Sequence, residues 1–509
     1  MSDTNRSNDF AAGSRQIASK LAPTPSGQRL GHVTLGLLTV LLLGGCSLEP
    51  KYQRPDAPID QQWPSNTQGP GGSDSKLAFQ EDWHNFITDP RLRQVIDLAL
   101  KNNRGLRQYA ASVEESRAES DGAHASLFPT IGINTYAGRS KLPPLVRTQG
   151  GGVSSGSIDN TFQATAGFTS YELDLFGRLR SQRNAAHARF EASEADYQTA
   201  RLGLIGEVAS TWLSLKANQT LLNLAQTTYD GQKHYGELLR SSYNAGSTAR
   251  IDVHQGDAMT HTAAVQVNTY RMKVAQSLNA LRVLVGQPVP DPLLPVGDLG
   301  KTLATADVPA GLPSSLIRRR PDIMSAEATL RASNADIGAA RSAYFPTLSL
   351  TGALGSLSGD FSRLLTGPAE FWQLAAAGSM TLLDGGQRRA VVDASHARFD
   401  ANTAAYEGAV QNAFREAADA LNARQEMLAQ VTAQQRLVGD YQEAWRQSRL
   451  RFEAGLDSYF STMDAQRSLF AAQQQYLDLE LAREVNQVNL YKALGGGWTP
   501  PKIDMADAK

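Results

Sequence analysis

The chain has 509 residues, and its 49 lysines and arginines against 50 aspartates and glutamates (net charge −1) leave no basic surplus for holding a phosphate backbone, which argues against a nucleic-acid role. Charged residues make up 19% and aromatics 7%, while Ala, Gly, Ser, Thr and Gln are plentiful, a mix suited to long, closely packed helices with wet surfaces.

At the N-terminus, Arg15, Lys20 and Arg29 precede an apolar run from Val33 to Leu43, followed by Gly44, Gly45 and Cys46. This is a signal-peptide layout. The run is well short of the roughly 20 residues a helix needs to cross a bilayer, so export is expected rather than a retained span. Cys46 is the only cysteine, so no disulfide forms within the chain. Leu43-Gly44-Gly45-Cys46 resembles a bacterial lipobox. That resemblance implies that the Cys46 thiol takes a diacylglycerol, that the preceding peptide is removed and that the new N-terminus is acylated. Several chains anchor far more firmly than one. Ser47 stands where inner-membrane retention usually wants Asp, which implies outer-membrane sorting. The alternative is a free cysteine inside an ordinary cleaved signal. The long polar stretch before Arg29 leaves the translation start open.

From Ser47 to Glu81 a Pro- and Gly-rich stretch shows no sustained period and reads as a leash without a core of its own. Beyond it the chain repeats itself. Phe128-Pro129-Thr130 returns 217 residues later as Phe345-Pro346-Thr347, and Ala111, Ser116, Ala118 and Ala123 fall on Ala328, Ser333, Ala335 and Ala340. His187-Ala188-Arg189-Phe190 returns 209 residues later as His396-Ala397-Arg398-Phe399, and Ala245-Gly246 as Ala454-Gly455. The smaller second offset places a loss of about eight residues in a surface loop, where it is tolerated.

Each repeat reads as helix, strand, loop, strand, very long helix, tight turn, helix. Ile131, Ile133 and Ala137 alternate with Thr130, Asn134 and Tyr136; Phe162, Ala164, Ala166 and Phe168 alternate with Gln163, Thr165 and Thr169. In the second repeat Leu348, Leu350 and Leu354 alternate with Thr347, Ser349 and Thr351, then Trp372, Leu374, Ala376 and Met380 with Gln373, Ser379 and Thr381. Period two predicts four strands with one apolar and one polar face, which fits a membrane barrel wall or a small soluble sheet. Four strands cannot close around a lumen, and open edges in lipid would leave backbone groups unpaired, so the barrel reading requires several chains. Three chains, giving twelve strands, are the smallest plausible solution.

From about Ser181 to Ser242 and from about Arg388 to Arg451 there is no proline, and the spacing of Ile205, Val208, Trp212 and Leu215, and of Val410, Phe414, Ala417 and Leu421, is that of coiled coils. Each helix would reach roughly 90 Å. Gly203 and Gly206 weigh against perfect continuity.

Two motifs open the repeats: Trp83-His84-Asn85-Phe86-Ile87-Thr88-Asp89-Pro90, and Leu312-Pro313-Ser314-Ser315-Leu316-Ile317-Arg318-Arg319-Arg320-Pro321-Asp322-Ile323. Pro321 suits a first helical turn, Asp322 is favourable against the helix dipole, and the arginines can pair with acids on neighbouring helices, a structural rather than a transport role. With these motifs the chain after Cys46 resembles the TolC-like outer-membrane factors of tripartite efflux systems, in their lipoprotein branch called NodT-type. The resemblance implies a mostly α fold with a small β part: a duplicated helix-strand unit whose homotrimer forms a 12-stranded transmembrane β-barrel continued by a long periplasmic α-helical barrel. It also implies a periplasmic adaptor and, through it, an inner-membrane pump of the proton-driven RND type.

By the same resemblance, the turns Tyr243 to Thr248 and Phe452 to Tyr459 are the periplasmic tip, with Gly246, Ser247, Gly455, Leu456 and Ser458 at the adaptor; glycine after a long helix is also the ordinary C-cap choice. Asp464 matches the family's carboxylate ring at the constriction and Phe460 an apolar ring beside it, a gate that would attract cations and repel large anions. Ser461 stands where the family often has a second acid, so the gate's charge is reduced. The alternative is an Asp capping or salt-bridging on a solvated helix face.

No His-Glu-x-x-His, Cys-x-x-Cys or Walker-type loop occurs. His187 and His396 stand alone on Ala-rich helices, and Gly150-Gly151-Gly152 and Gly385-Gly386 fit turns. The expectation is a channel, not an enzyme, with no cofactor; the competing reading is a non-conducting trimeric envelope scaffold. Within the channel reading, drug efflux, metal efflux and protein secretion are not separated, although the lipobox and the arginine motif lean toward small molecules. The expected organisation is a signal peptide at 1–45, a lipidated tether at 46–81, repeats at 82–287 and 312–496 joined by a linker at 288–311, and a tail at 497–509.

Overall fold

The computed structural model describes residues 47–56, 59, 82–141, 158–297, 299–300, 302–304 and 319–497. The apolar run at 33–43, Cys46, the glycines at 150–152, the Leu312 to Arg318 part of the arginine motif and the tail from 498 lie outside them.

The first repeat runs α1 (Trp83–Phe86), α2 (Pro90–Asn102), α3 (Arg104–Ala125), β1 (Ile131–Lys141), β2 (Ile158–Leu173), α4 (Arg178–Asn244) and α5 (Arg250–Val285). The second runs α6 (Pro321–Ser342), β3 (Thr347–Ser358), β4 (Glu370–Ser379), α7 (Gln387–Glu453) and α8 (Tyr459–Ala493). Helices α3 and α6 are both 22 residues long, and α4 and α7 both 67, so the repeat in sequence is a repeat in structure. At 1.5 Å per residue the long helices reach about 100 Å. Gly203 and Gly206 do not interrupt α4, and a side chain at Gly206 would run into Lys492. No helix among the described residues is long and apolar enough to cross a membrane.

The four strands form one antiparallel sheet in the order β1-β2-β3-β4. Directly opposed residues share a face, so the register sorts the side chains. Ile131 opposes Phe168, Ile133 opposes Ala166, Ala166 opposes Leu354, and Leu354 opposes Trp372. Asn134–Thr165 and Ala353–Gln373 fall on the other face. Ile133 and Trp372 are each 80% exposed, so the apolar face lies uncovered in the single chain. A bulge between Phe168 and Tyr171, with Ser170 at φ 57°, shifts the β2–β3 register and adds local twist.

Each long helix leaves the sheet through an Asp–Arg clip. Asp174 accepts from the Arg180 backbone N–H at 2.9 Å and its guanidinium at 3.2 Å; Asp384 accepts from the corresponding groups of Arg388 at 3.1 and 2.6 Å. These carboxylates satisfy N–H groups that the first helical turn leaves open.

The largest core lies part-way along the long helices. Ile205, Val208, Trp212 and Leu215 are buried there with Trp83, Phe86, Ile96 and Leu281, and the Phe86 and Tyr491 rings stack at 4.3 Å. The arginine motif closes this region. Arg320 is buried, sends two bonds to Asp322 at 3.1 and 2.8 Å and one to Glu416 on α7 at 2.8 Å, and donates to the Ala493 carbonyl on α8 at 3.2 Å. Burial alone would disfavour the Arg320 charge, but the hydrogen bonds and charges of Asp322 and Glu416 outweigh it and raise its pKa. Pro321 occupies the first turn of α6. His187 sits 3.5 Å from Glu191 and His396 lies 3.3 Å from Arg341, and no metal-ligand cluster exists among the described residues.

The leash expectation needs one correction. Residues 47–56 dock as a strap over α4 and α6: Asn184 donates to Glu49 at 2.9 Å, Asn334 to the Pro50 carbonyl at 2.8 Å, and Arg54 pairs with Glu327 at 2.6 Å. Tyr52 packs on the cluster of Ile323, Leu330, Tyr406 and Val410. A Cβ at Gly338 would come within 2.6 Å of Ser181 Oγ and 2.8 Å of Glu49 Cα, so glycine makes room for the strap.

Candidate functional site: the helical tip

The far ends of α4 and α7 lie a full helix length from the sheet, and both turn back by the same geometry. Gly246 and Gly455 take φ of 75° and 69°, conformations that cost glycine nothing. Ser247 N–H donates to the Ser242 carbonyl and Leu456 N–H to the Arg451 carbonyl, both at 2.9 Å, giving the long bond of a Schellman cap. Ser247 Oγ reinforces its turn with a 2.9 Å bond to the same Ser242 carbonyl.

The second turn carries more chemistry. Leu456 is 68% exposed, and Arg451 grips Asp457 at 2.6 and 3.0 Å. That hydrogen bond holds the Asp457 carboxyl below its usual range. Gly246, Ser247, Gly455, Leu456 and Ser458 are all exposed at the turns.

Just beyond, Phe460 and Asp464 lie one helical turn apart on α8, so they share a face. Phe460 is exposed, and the Asp464 carboxylate lies 2.6 Å from Arg467. Arg467 was absent from the sequence reading, though an arginine three residues after an aspartate on a helix is a readable pairing signal. Tyr459 was also missed as a site residue. It is 2% exposed, packs against Phe452 and Tyr235, and donates to Gln232 Oε1 on α4 at 3.2 Å. Lower down, Gln474 on α8 donates to the Tyr270 hydroxyl on α5 at 2.7 Å. The Tyr459–Gln232 bond near the candidate gate and the Gln474–Tyr270 bond further along α8 both tie the second hairpin to the first.

The family model for outer membrane efflux proteins matches residues 95–287 and 312–496. The toluene efflux pump outer membrane protein TtgI of Pseudomonas putida is 39% identical over 468 residues, covering 92% of this chain and 98% of the relative. Among solved structures, a membrane protein from Pseudomonas aeruginosa superposes with a TM-score of 0.81 at 34% identity, covering 89% of this chain and 98% of the other. The open-state MtrE outer membrane channel of Neisseria gonorrhoeae superposes with a TM-score of 0.80 at 31% identity, with the same coverage.

Proposed function

The chain belongs to the outer membrane efflux protein family, and from that premise we propose that it is the passive exit duct of a tripartite pump, assembled as a homotrimer in the outer membrane and reaching into the periplasm. The single observation that carries this reading is the sheet: four strands with one uncovered apolar face and two unpaired edges, β1 and β4, set on helices about 100 Å long. Edges of this kind are stable in lipid only when paired, and twelve strands from three chains close the wall with a Thr/Gln/Ser-lined interior.

The helical tip meets a periplasmic adaptor through Gly246, Ser247, Gly455, Leu456 and Ser458, and the adaptor connects it to an inner-membrane pump of the proton-driven RND type that supplies the energy. Phe460 and Asp464 form the constriction, and Cys46 carries the lipid anchor. The cargo is small toxic compounds, organic solvents among them, as supported by the toluene pump relative.

The test is a deletion strain that also lacks homologous ducts, exposed to toluene and to a panel of antibiotics. Increased sensitivity restored by the intact gene supports the assignment. Unchanged susceptibility to every compound overturns it.

A further inference from the structure

The arginine fork that ties α6 to α7 and α8 also borders a cavity. It measures about 630 Å³, within the range of sites for small organic ligands, and is walled by α4, α7, α8 and the start of α6. Two helix faces bring different chemistry to it. Glu416, Asp419, Ala420 and Ala423 recur on α7 at the spacing of one helical face, and Asn486, Asn489 and Lys492 do so on α8. Leu202 and Gly203 of α4, about 40 Å along the helix from the sheet, add apolar wall.

Several of these groups are left unspent. Arg320 is shared between Asp322 and Glu416, and Asp419 meets Arg415 at 3.6 Å with both side chains about two-thirds exposed, a weak pair. Lys492 lines the same cavity as these three carboxylates, yet it has no ion-pair partner among the described residues. Gly206 makes room for its stem. Asn486 is 8% exposed and donates Nδ2 to the Ala420 carbonyl at 2.9 Å, which leaves its Oδ1 without a partner among the described residues. A buried acceptor of that kind calls for a donor. The first repeat shows that packing does not demand this lining. There Asn103, the counterpart of Arg320, donates to the carbonyl of Leu284, the counterpart of Ala493, at 2.8 Å, so the joint is the same. Asp419, Asn486, Asn489 and Lys492, however, fall on Ser210, Ser277, Ala280 and Val283. No metal-binding group of side chains exists among the described residues, so the carboxylates do not form a metal cage.

We propose that this cavity binds the zwitterionic head of an amino acid: Glu416, Asp419 and Asn486 Oδ1 accept from the three N–H groups of its ammonium, and Lys492 and Asn489 donate to its carboxylate. The aliphatic body of the ligand lies on Leu202, Ala420 and Ala423. A diamine would set a like charge beside Lys492, and a dicarboxylate would face Glu416 and Asp419, so both charges are needed on one molecule. Free amino acids and the peptide stems of the cell wall both carry such heads. The periplasmic location of the cavity rests on the membrane reading above; the binding itself does not, and it requires no conduction.

The test is titration calorimetry on the full-length protein in detergent with three probes: diaminopimelate, cadaverine, which keeps the ammoniums without the carboxylates, and pimelate, which keeps the carboxylates without the ammoniums. Diaminopimelate should bind at least about tenfold more tightly than either. Lys492→Val and Asp419→Ser, each writing in the residue of the first repeat, should weaken it by about the same factor with circular dichroism unchanged, and Lys492→Arg should retain it. Co-sedimentation with purified cell-wall sacculi separates the two sources. Retention that free diaminopimelate competes away and Lys492→Val abolishes assigns the ligand to wall peptides; calorimetric binding without retention assigns it to a free amino acid. Cadaverine binding as tightly as diaminopimelate overturns the proposal. So does the absence of binding to folded protein, or binding and retention that survive both substitutions. None of these outcomes bears on the duct reading, which the deletion strain tests.

Discussion

Asp464 carries its own counter-ion: its carboxylate lies 2.6 Å from the guanidinium of Arg467, three residues along α8. The carboxylate is about half exposed and the arginine 72% exposed, so the pair contributes little to stability, at most about 1 kcal/mol. At the proposed constriction its effect is on the local field. Arg467→Gln should therefore raise cation preference in planar-bilayer recordings, while Asp464→Ala should abolish it and increase conductance. Equal ion selectivity in wild type and both variants would remove Asp464 from the gate.

The Tyr459–Gln232 bond fastens α8 to α4 beside that pair. Tyr459→Phe removes one buried hydrogen bond, a loss of about 1 kcal/mol, and should raise the open probability in the same recordings. Burial, reinforced by the neighbouring Tyr235, pushes the Tyr459 hydroxyl up to about 12. The folded chain thus holds this proton more tightly than the unfolded chain, where tyrosine titrates near pH 10. Its contribution is complete below about pH 10 and disappears as the pH rises through about 12. Thermal melts across that window should fall less steeply for Tyr459→Phe than for wild type, and the two should run parallel between pH 6 and 9.

Arg320 joins α6, α7 and the end of α8 through one planar fork. Arg320→Lys cannot serve Asp322, Glu416 and the Ala493 carbonyl together, and Arg320→Ala serves none of them. Because Glu416 is about half exposed, the loss for alanine should be about 2–3 kcal/mol, below the full cost of orphaning a buried charge. Denaturation of the detergent-solubilised protein should show lysine between wild type and alanine. An alanine variant as stable as wild type would show that the fork does not hold the helices together.

Much of this fold was legible because its signals are local or repeated. The strand faces follow from period two, the long helices from the absence of proline and the 3-4 spacing, and the tip turns from Ala-Gly duplicated at one offset. Less was legible where partners are distant. Nothing in the sequence around Gln232 points to Tyr459, 227 residues on. The strap reads as a leash because a Pro- and Gly-rich segment has no period of its own, and periodicity does not register a segment that borrows a groove. For Arg320, charge chemistry predicted acidic partners, but only the packing of α7 selects Glu416.

The strap predicts a separable phenotype. Gly338→Val should displace Glu49 and free residues 47–56, measured as faster proteolysis upstream of Trp83, with the α4–α7 scaffold unchanged by circular dichroism. Unaltered cleavage would mean that the groove tolerates a side chain and the strap is not seated by Gly338.

The proposed anchoring through Cys46 has its own readout. Cys46→Ser should abolish incorporation of a labelled fatty acid and shift the mature chain to the mass of an unacylated or uncleaved form. Label retained in the serine variant would place the lipid elsewhere.

The strap also imposes an order of events on biogenesis. Tyr52 meets Glu327 across 275 residues of chain, so the first segment of the body to be made has no seat until α6 exists. During synthesis and export it must wait, unpaired, while more than half of the protein follows. Its docking is therefore a late step that reports the arrival of the second repeat, and a chain truncated before α6 would keep its leading end free for proteases.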